Sequence, residues 1–335
     1  MADTLDEVAE IAGVSRATVS RVVNNSQKVS GDTREKVVKA IEESGYQPHA
    51  VAQSLAKNET GIIGLVIPES VSRLFSDPFF APLIMTVTEE CNERGYELML
   101  SLLTTPDQEE ELYGDIVNNS FLDGLLFAST PLEDPLVDEL LRDEIPFVSV
   151  GRNPNEQVNY VDADNYGGAR QATEYMLELG HEKIGTITGP LDQAAALDRL
   201  EGYKDALRDA GVGVESSLIY EGDFTEESGV RGVQELLGSL VSAIFVASDK
   251  MAIGALKALK KARKEIPEDV ALVGFDDISA SSAVEPPLTT ISQPVEKMAE
   301  TAVRILEAKM EQASGQEAEP IREVLDTKLI VRGST

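Results

Sequence analysis

The chain has 335 residues, 42% of them hydrophobic and 26% charged, a soluble composition and a length that fits a small module plus one large bilobed one. No apolar run approaches the roughly 18 residues of a membrane span, and the acidic start Met1-Ala2-Asp3-Thr4-Leu5-Asp6-Glu7 is unlike a secretory signal, so a cytoplasmic protein with no membrane partner is expected. A single cysteine, Cys91, and two histidines, His49 and His181, rule out an internal disulfide and a Cys/His metal site.

The net charge of −30 argues by itself against nucleic acid, which rewards basic surfaces. It is unevenly spread. The first sixty residues hold 9 acids and 7 bases, leaving 50 acids and 22 bases to the other 275. Segment 11–29 carries Arg16, Arg21 and Lys28 and no acid at all.

Three short helices are predicted there. Thr4-Leu5-Asp6-Glu7 fits a capping box, Val8, Ala9 and Ala12 follow at helical spacing, and Gly13 ends the segment. Ser15 caps a second helix with Val19, Val22 and Val23 as its apolar stripe, and a third runs from after Ser30 to Ser44, with Gly45 as its stop. The first two helices, joined through Gly13-Val14-Ser15, have the helix-turn-helix layout. Opposite the valines lie Arg16, Ala17, Ser20, Arg21 and Asn24. Arg16 can form two hydrogen bonds to a guanine, and Ala17 is small enough for close approach or a thymine methyl. Thr18, Ser20 and Asn24 are short donors suited to phosphate oxygens.

These residues carry a resemblance. Thr4-Leu5-Asp6-Glu7-Val8-Ala9, Ala12-Gly13-Val14-Ser15 and Thr18-Val19-Ser20-Arg21-Val22-Val23-Asn24 are similar to the headpiece of the LacI/GalR family of transcription repressors. Val29-Ser30, Thr33-Arg34-Glu35-Lys36-Val37, Gly45-Tyr46 and Pro48 continue the match without a gap. The resemblance implies that Arg16, Ala17 and Arg21 read major-groove bases and that Thr4, Thr18, Asn24, Ser30, Thr33 and Tyr46 lie near phosphates. It also implies that Ala50-Val51-Ala52-Gln53-Ser54-Leu55-Ala56 is a hinge helix that orders on DNA, with Val51 and Ala52 at the DNA and Leu55 as a minor-groove wedge. His49 stands where many relatives carry asparagine and is assigned no role.

Beyond residue 61, β-rich runs at 62–67, 96–103, 124–128, 147–150, 183–188, 243–247, 271–275 and 288–291 alternate with amphipathic stretches such as 81–94, 168–179, 199–209 and 252–262. This alternation predicts parallel sheets covered on both faces, in two lobes, with a ligand cleft at the C-terminal strand ends. Val161-Asp162-Ala163-Asp164-Asn165, Gly180-His181, Gly189-Pro190, Arg199 with Gly202-Tyr203, Ala247-Ser248-Asp249, Gly274-Phe275-Asp276-Asp277 and Pro287-Leu288-Thr289-Thr290-Ile291 extend the resemblance through the core, and through it to periplasmic sugar-binding proteins. The fold class it implies is a small all-α helix-turn-helix domain plus an α/β core of two doubly wound parallel-sheet lobes, periplasmic-binding-protein-like. The expected organisation is a headpiece at 1–46, a hinge at 47–60 and a core at 61–335. Within the core the N-lobe spans about 61–160 and 292–322, and the C-lobe about 161–291 and 323–335.

The resemblance carries Arg199 over as a fork onto ligand hydroxyls or an acidic group, and Asp276 as an acceptor. Phe80 and Phe224 become flat walls, with Asp164, Ser248 and Gln293 as weaker effector contacts. Ser149 and Val295 depart from the aspartate and aromatic of some sugar-sensing relatives. No Walker loop, metal-ligand spacing, Gly-x-Ser-x-Gly elbow or GxGxxG behind a strand is present, so neither catalysis nor a cofactor is expected. The implied partners are a double-stranded DNA operator, a small-molecule effector (a sugar or related metabolite) and a second copy of the chain. A dimer is expected from the lack of a heptad tail after Lys328-Leu329-Ile330-Val331. The rival reading is a bilobed carbohydrate-binding protein without a DNA role. The acidity itself is of the kind suited to a salt-rich, halophilic cytoplasm.

Overall fold

The computed structural model describes residues 4–23, 28–46, 60–103, 114, 121–128, 131–312 and 319–335. The chain divides after Gly61 into two units. The expected hinge at 47–60 lies outside the described residues apart from Thr60.

In the first unit the helices begin and end on local signals. Helix α1 (Leu5–Ala12) opens where the Glu7 amide donates to the Thr4 hydroxyl at 3.3 Å. It stops at Gly13, whose φ of 66° turns its N–H back onto the Ala9 and Glu10 carbonyls. The Thr18 amide donates to Ser15 Oγ at 3.2 Å at the head of α2 (Arg16–Val23), and α3 (Gly31–Ser44) ends at Gly45. Val8, Ala9, Val19, Val22, Val37, Ala40 and Tyr46 share one core. With the valines of α2 committed inward, its polar stripe faces solvent.

In the second unit, β1 (Ile62–Ser70) is followed by α4 (Val71–Ser76), α5 (Phe80–Glu93), β2 (Glu97–Leu103) and β3 (Gly124–Ala128). Then come α6 (Pro135–Arg142), β4 (Phe147–Val150), β5 (Tyr160–Ala163), α7 (Asn165–Glu178), β6 (Ile184–Thr188) and α8 (Ala194–Asp209). Next are β7 (Ile219–Glu221), α9 (Glu226–Leu237), β8 (Ala243–Val246), α10 (Asp249–Lys261) and β9 (Ala271–Asp276). The remaining elements are α11 (Ser279–Ala283), β10 (Thr289–Ser292), α12 (Val295–Glu311), β11 (Arg322–Leu325) and β12 (Lys328–Ile330).

They build two six-stranded sheets, ordered β11-β5-β4-β3-β1-β2 and β12-β10-β9-β8-β6-β7. Every pairing is parallel except that of β12 with β10. The central strands β3, β4, β6 and β8 are buried along their whole length, as strands covered on both faces must be. Helix α12 returns to the first lobe, where Val295, Met298, Ala299 and Ala302 join the core beneath β1, β3, β4 and β5. The chain therefore crosses between lobes three times, at 163–165, 292–295 and 325–328.

Two expected lobe boundaries move. Tyr160–Ala163 pairs in the first sheet with Arg322–Leu325, so the first crossing falls after Ala163, not at 160, and the last after Leu325, not at 322. The sequence hides this because β11 is an edge strand that alternates exposed and half-buried residues and has no apolar run. Among the described residues no helix is long and apolar enough to cross a membrane.

Helices α7 and α8 pack closely at Gly202, where an added methyl would collide with the Tyr166 carbonyl oxygen. Gly202→Ala is therefore expected to push α8 outward and lower core stability by about 1–3 kcal/mol, read as a shifted urea midpoint. An unchanged midpoint would show that the contact is slack.

Candidate functional sites: a helix face and a cleft

On α2, Arg16, Ala17 and Arg21 are exposed, with Thr18 and Ser20 half-buried beside them. Arg16 Nη1 lies 3.7 Å from Asp6 Oδ2, with both side chains about two-thirds exposed. Such a surface pair contributes little and leaves the guanidinium in water. Arg21 has no ion pair among the described residues. Thr4, Thr18, Ser30 and Thr33 sit at helix N-termini. The Ser15 and Thr18 hydroxyls are 2.9 Å apart, and those of Ser30 and Thr33 are 2.8 Å apart. Tyr46, expected near phosphate, packs its ring into the bundle core and is 9% exposed. Asn24, Val51, Ala52 and Leu55 lie outside the described residues.

The second site is the cleft between the two sheets, about 820 Å³ of open space counting its mouth. It opens at C-terminal strand ends, as the βαβ topology dictates. Arg199, reaching in from α8, is its centre, 5% exposed. Its Nε donates to Asn165 Oδ1 at 2.8 Å and its Nη1 to the Ala247 carbonyl at 2.5 Å. Nη1 also stands 3.6 Å from Asp276 Oδ1, and the guanidinium lies 3.7 Å over the Phe275 ring. Among the described residues nothing accepts from Nη2, the arm left for a ligand.

Asp276 ends β9 in a left-handed conformation, φ 121°, which turns its carboxylate inward. Gln293 Nε2 donates to its Oδ1 at 2.6 Å and the Asp249 amide to its Oδ2 at 3.4 Å. Asp277 turns away to Arg332 at 2.6 Å, so the adjacent carboxylates face opposite ways. Phe79 and Phe80 meet edge to face at 5.4 Å on one wall. Phe224, in a left-handed conformation, spreads over Gly189 on the other.

Phe80, Arg199, Phe224, Ser248, Asp276 and Gln293 all line the cleft. Ser248 does so while capping α10, accepting from the Met251 amide at 3.3 Å. Asp164 does not line it. Strand β5 stops at Ala163, so Asp164 caps α7 and accepts from the Gly167 amide at 2.8 Å. The carboxylate of this segment that lines the cleft is Asp162, which receives the Arg152 and Ala163 amides and Asn165 Nδ2 at 2.8–3.0 Å. Sequence reasoning also missed Asp77, Phe79, Arg152, Asn165 and Gln193. Position just past a strand end was the available signal for Arg152 and Asn165. Ser149 and Val295 are buried and do not line the cleft.

Burial raises the Asp276 carboxyl well above its ordinary range, and the Arg199 charge opposes that rise. Burial likewise lowers Arg199, which stays protonated at any ordinary pH. Asp249 is pushed up to about 7, chiefly by burial, against the Ser281 and Thr290 hydroxyls that donate to it. Asp162 is pushed up to about 6, again by burial, against its amide donors. The folded chain thus holds the Asp162 proton more tightly than the unfolded chain, whose value is about 3.9. This contribution to stability is full below pH ~4 and lost as pH rises through about 6. Denaturation of wild type and Asp162→Asn from pH 4 to 8 should show the variant gaining roughly 3 kcal/mol on wild type as pH rises; a pH-independent difference would contradict this.

The fold and its two sites define a class of protein: a helix-turn-helix module carried by a two-lobed, periplasmic-binding-protein-like core. Residues 4–49 match the model of bacterial regulatory proteins, lacI family, and residues 173–335 match that of the periplasmic binding protein-like domain. The HTH-type transcriptional regulator CelR of Thermobifida fusca is 42% identical over 336 residues, covering 99% of this chain and 98% of that protein. Among solved structures, a transcriptional regulator CelR–cellobiose complex aligns with a TM-score of 0.78 at 41% identity over 100% of both chains. The lac repressor dimer bound to operator and the anti-inducer ONPF aligns with a TM-score of 0.84 at 28% identity, covering 100% of this chain and 99% of that one. The chain belongs to the LacI family of bacterial regulatory proteins. These relatives are transcriptional regulators, not enzymes.

Proposed function

We propose that the chain is a cytoplasmic, sequence-specific DNA-binding transcriptional repressor that binds a near-palindromic operator as a homodimer and is controlled by a sugar in the interlobe cleft. The observation that carries this reading is the acid-free, solvent-facing side of α2, with Arg16, Ala17 and Arg21 presented outward by buried Val19 and Val22. A recognition helix needs that arrangement to place its first residues on base edges in the major groove. Thr4, Thr18, Ser30 and Thr33 offer hydroxyls at helix N-termini, where backbone amides also favour phosphate. Ser20, Asn24 and Tyr46 extend that set, Val51 and Ala52 of the hinge lie at the DNA, and Leu55 serves as the minor-groove wedge. A two-fold protein reads a two-fold site, in keeping with the lac repressor dimer on its operator.

For the cleft, the support is a buried arginine–aspartate pair, amide side chains and aromatic walls, the chemistry that holds ligand hydroxyls against flat faces. The related CelR complex contains cellobiose. Lobe motion on binding would change the spacing of two hinges, so DNA and ligand affinities are coupled reciprocally.

Gel-shift titration of full-length protein against the fragment 62–335 tests the DNA reading: the fragment is expected to lose operator binding, and equal binding by both would refute it. Arg16→Ala should cost about 1–3 kcal/mol and relax preference at one base pair; a uniform loss across sequences would instead place Arg16 on phosphate. With seven bases against nine acids in the first sixty residues, few phosphates are neutralised. The slope of log affinity against log salt should therefore be shallower than about −10, and a slope that steep would show that charge dominates.

A further inference from the structure

Two cations line the cleft among the described residues, Arg152 and Arg199, and protein acceptors engage both. Arg199 is held by Asn165, the Ala247 carbonyl and Asp276. Arg152, just past β4 in the first lobe, reaches across to Asp198 on α8 of the second. Its Nε donates to Asp198 Oδ2 at 2.8 Å and its Nη2 to Oδ1 at 2.7 Å, a fork-on-fork pair that saturates the carboxylate. A second bond between the lobes runs from the Leu132 amide to the Asp192 carbonyl at 2.8 Å.

The rest of the cleft wall adds carboxylates: Asp77, Asp162 and Asp276. An anionic group entering this space loses its water and meets these carboxylates, and the Arg152 fork is already taken. Only Nη1 of Arg152 and Nη2 of Arg199 lack a protein acceptor among the described residues, too little to offset the cost. Sugar hydroxyls meet no such barrier, because carboxylates accept from them and amides serve them either way. Resting on the reading of the cleft as the effector site, we propose that Asp198 is the positioning residue that sets charge selectivity. By holding the Arg152 fork, it restricts the cleft to uncharged polyhydroxylated ligands and turns away their phosphorylated counterparts.

The test uses the full-length chain with cellobiose and cellobiose 6′-phosphate as calorimetric probes, and inorganic phosphate as a thermal-shift probe. Wild type is expected to prefer cellobiose by more than about 100-fold and to show no phosphate-dependent shift. Asp198→Asn frees the Arg152 fork, so the preference narrows by at least about tenfold and a salt-sensitive phosphate shift appears. That shift disappears when Arg152→Gln is added, and Asp198→Glu keeps the wild-type preference. Asp198→Ser replaces the Asn variant if the latter does not fold. Two results overturn the proposal: wild type binding both sugars equally, or a folded Asp198→Asn chain in which neither the ratio nor the phosphate response changes. If no variant binds cellobiose, the sugar reading fails, and the phosphate arm still decides the role of Asp198.

Discussion

A guanidinium keeps its charge at any ordinary pH, so burying Arg199 obliges the fold to surround it with acceptors. The second lobe is organised around that obligation. The acceptors come from the head of α7 (Asn165), the end of β8 (Ala247) and the end of β9 (Asp276), and the Phe275 ring supplies the face beneath. Parallel strands that all finish on one side deliver these groups to a single place. Asp276 must take a left-handed backbone, φ 121°, to present its carboxylate there, and Asp277 follows at φ 60°. The strain is held by Gln293 from the second crossing and by Arg332 on Asp277. The close packing at Gly202 keeps α8 near enough for Arg199 to reach its partners. The cleft is thus tied to the segments that join the lobes, through Asn165 at one crossing and Gln293 at another.

How much of this was legible in the sequence depended on how local the cause was. The headpiece was read almost element by element, because a Thr4 cap, a Gly13 stop and valines at helical spacing act within one turn. The packing of Tyr46 into the core is not legible in this way, because it depends on three helices meeting, which spacing along one of them does not show. Of the expected cleft residues, Arg199, Ser248 and Asp276 lie in the family blocks and Phe80, Phe224 and Gln293 outside them, and all six line the cleft. Asp162 and Asp164 sit in one block, and only the stopping point of β5 decides which lines the cleft and which becomes a helix cap. Arg152 and Asp198 are 46 residues apart on different lobes, and nothing local to either announces the pair. The short edge strands β7, β11 and β12 escaped because three or four residues at a sheet edge, none of them fully buried, are too few to show a strand period.

The charge distribution gives the two units different work. Across 335 residues the chain is strongly acidic, yet segment 11–29 carries no acid and three bases. On the proposed function, that exclusion keeps like charge off the α2 face offered to DNA, while carboxylates elsewhere favour solubility and repel nucleic acid. On that proposed reading, specificity rests on base contacts and shape more than on phosphate neutralisation.

The central claim is that filling the cleft and gripping DNA are two readings of one equilibrium. It is tested most directly by measuring cellobiose affinity of the full-length protein twice, free and saturated with an operator selected from random duplexes. Reciprocal coupling requires the two affinities to differ by the same factor by which cellobiose changes operator affinity. Identical sugar affinities in the two states, with operator binding indifferent to sugar, would contradict it.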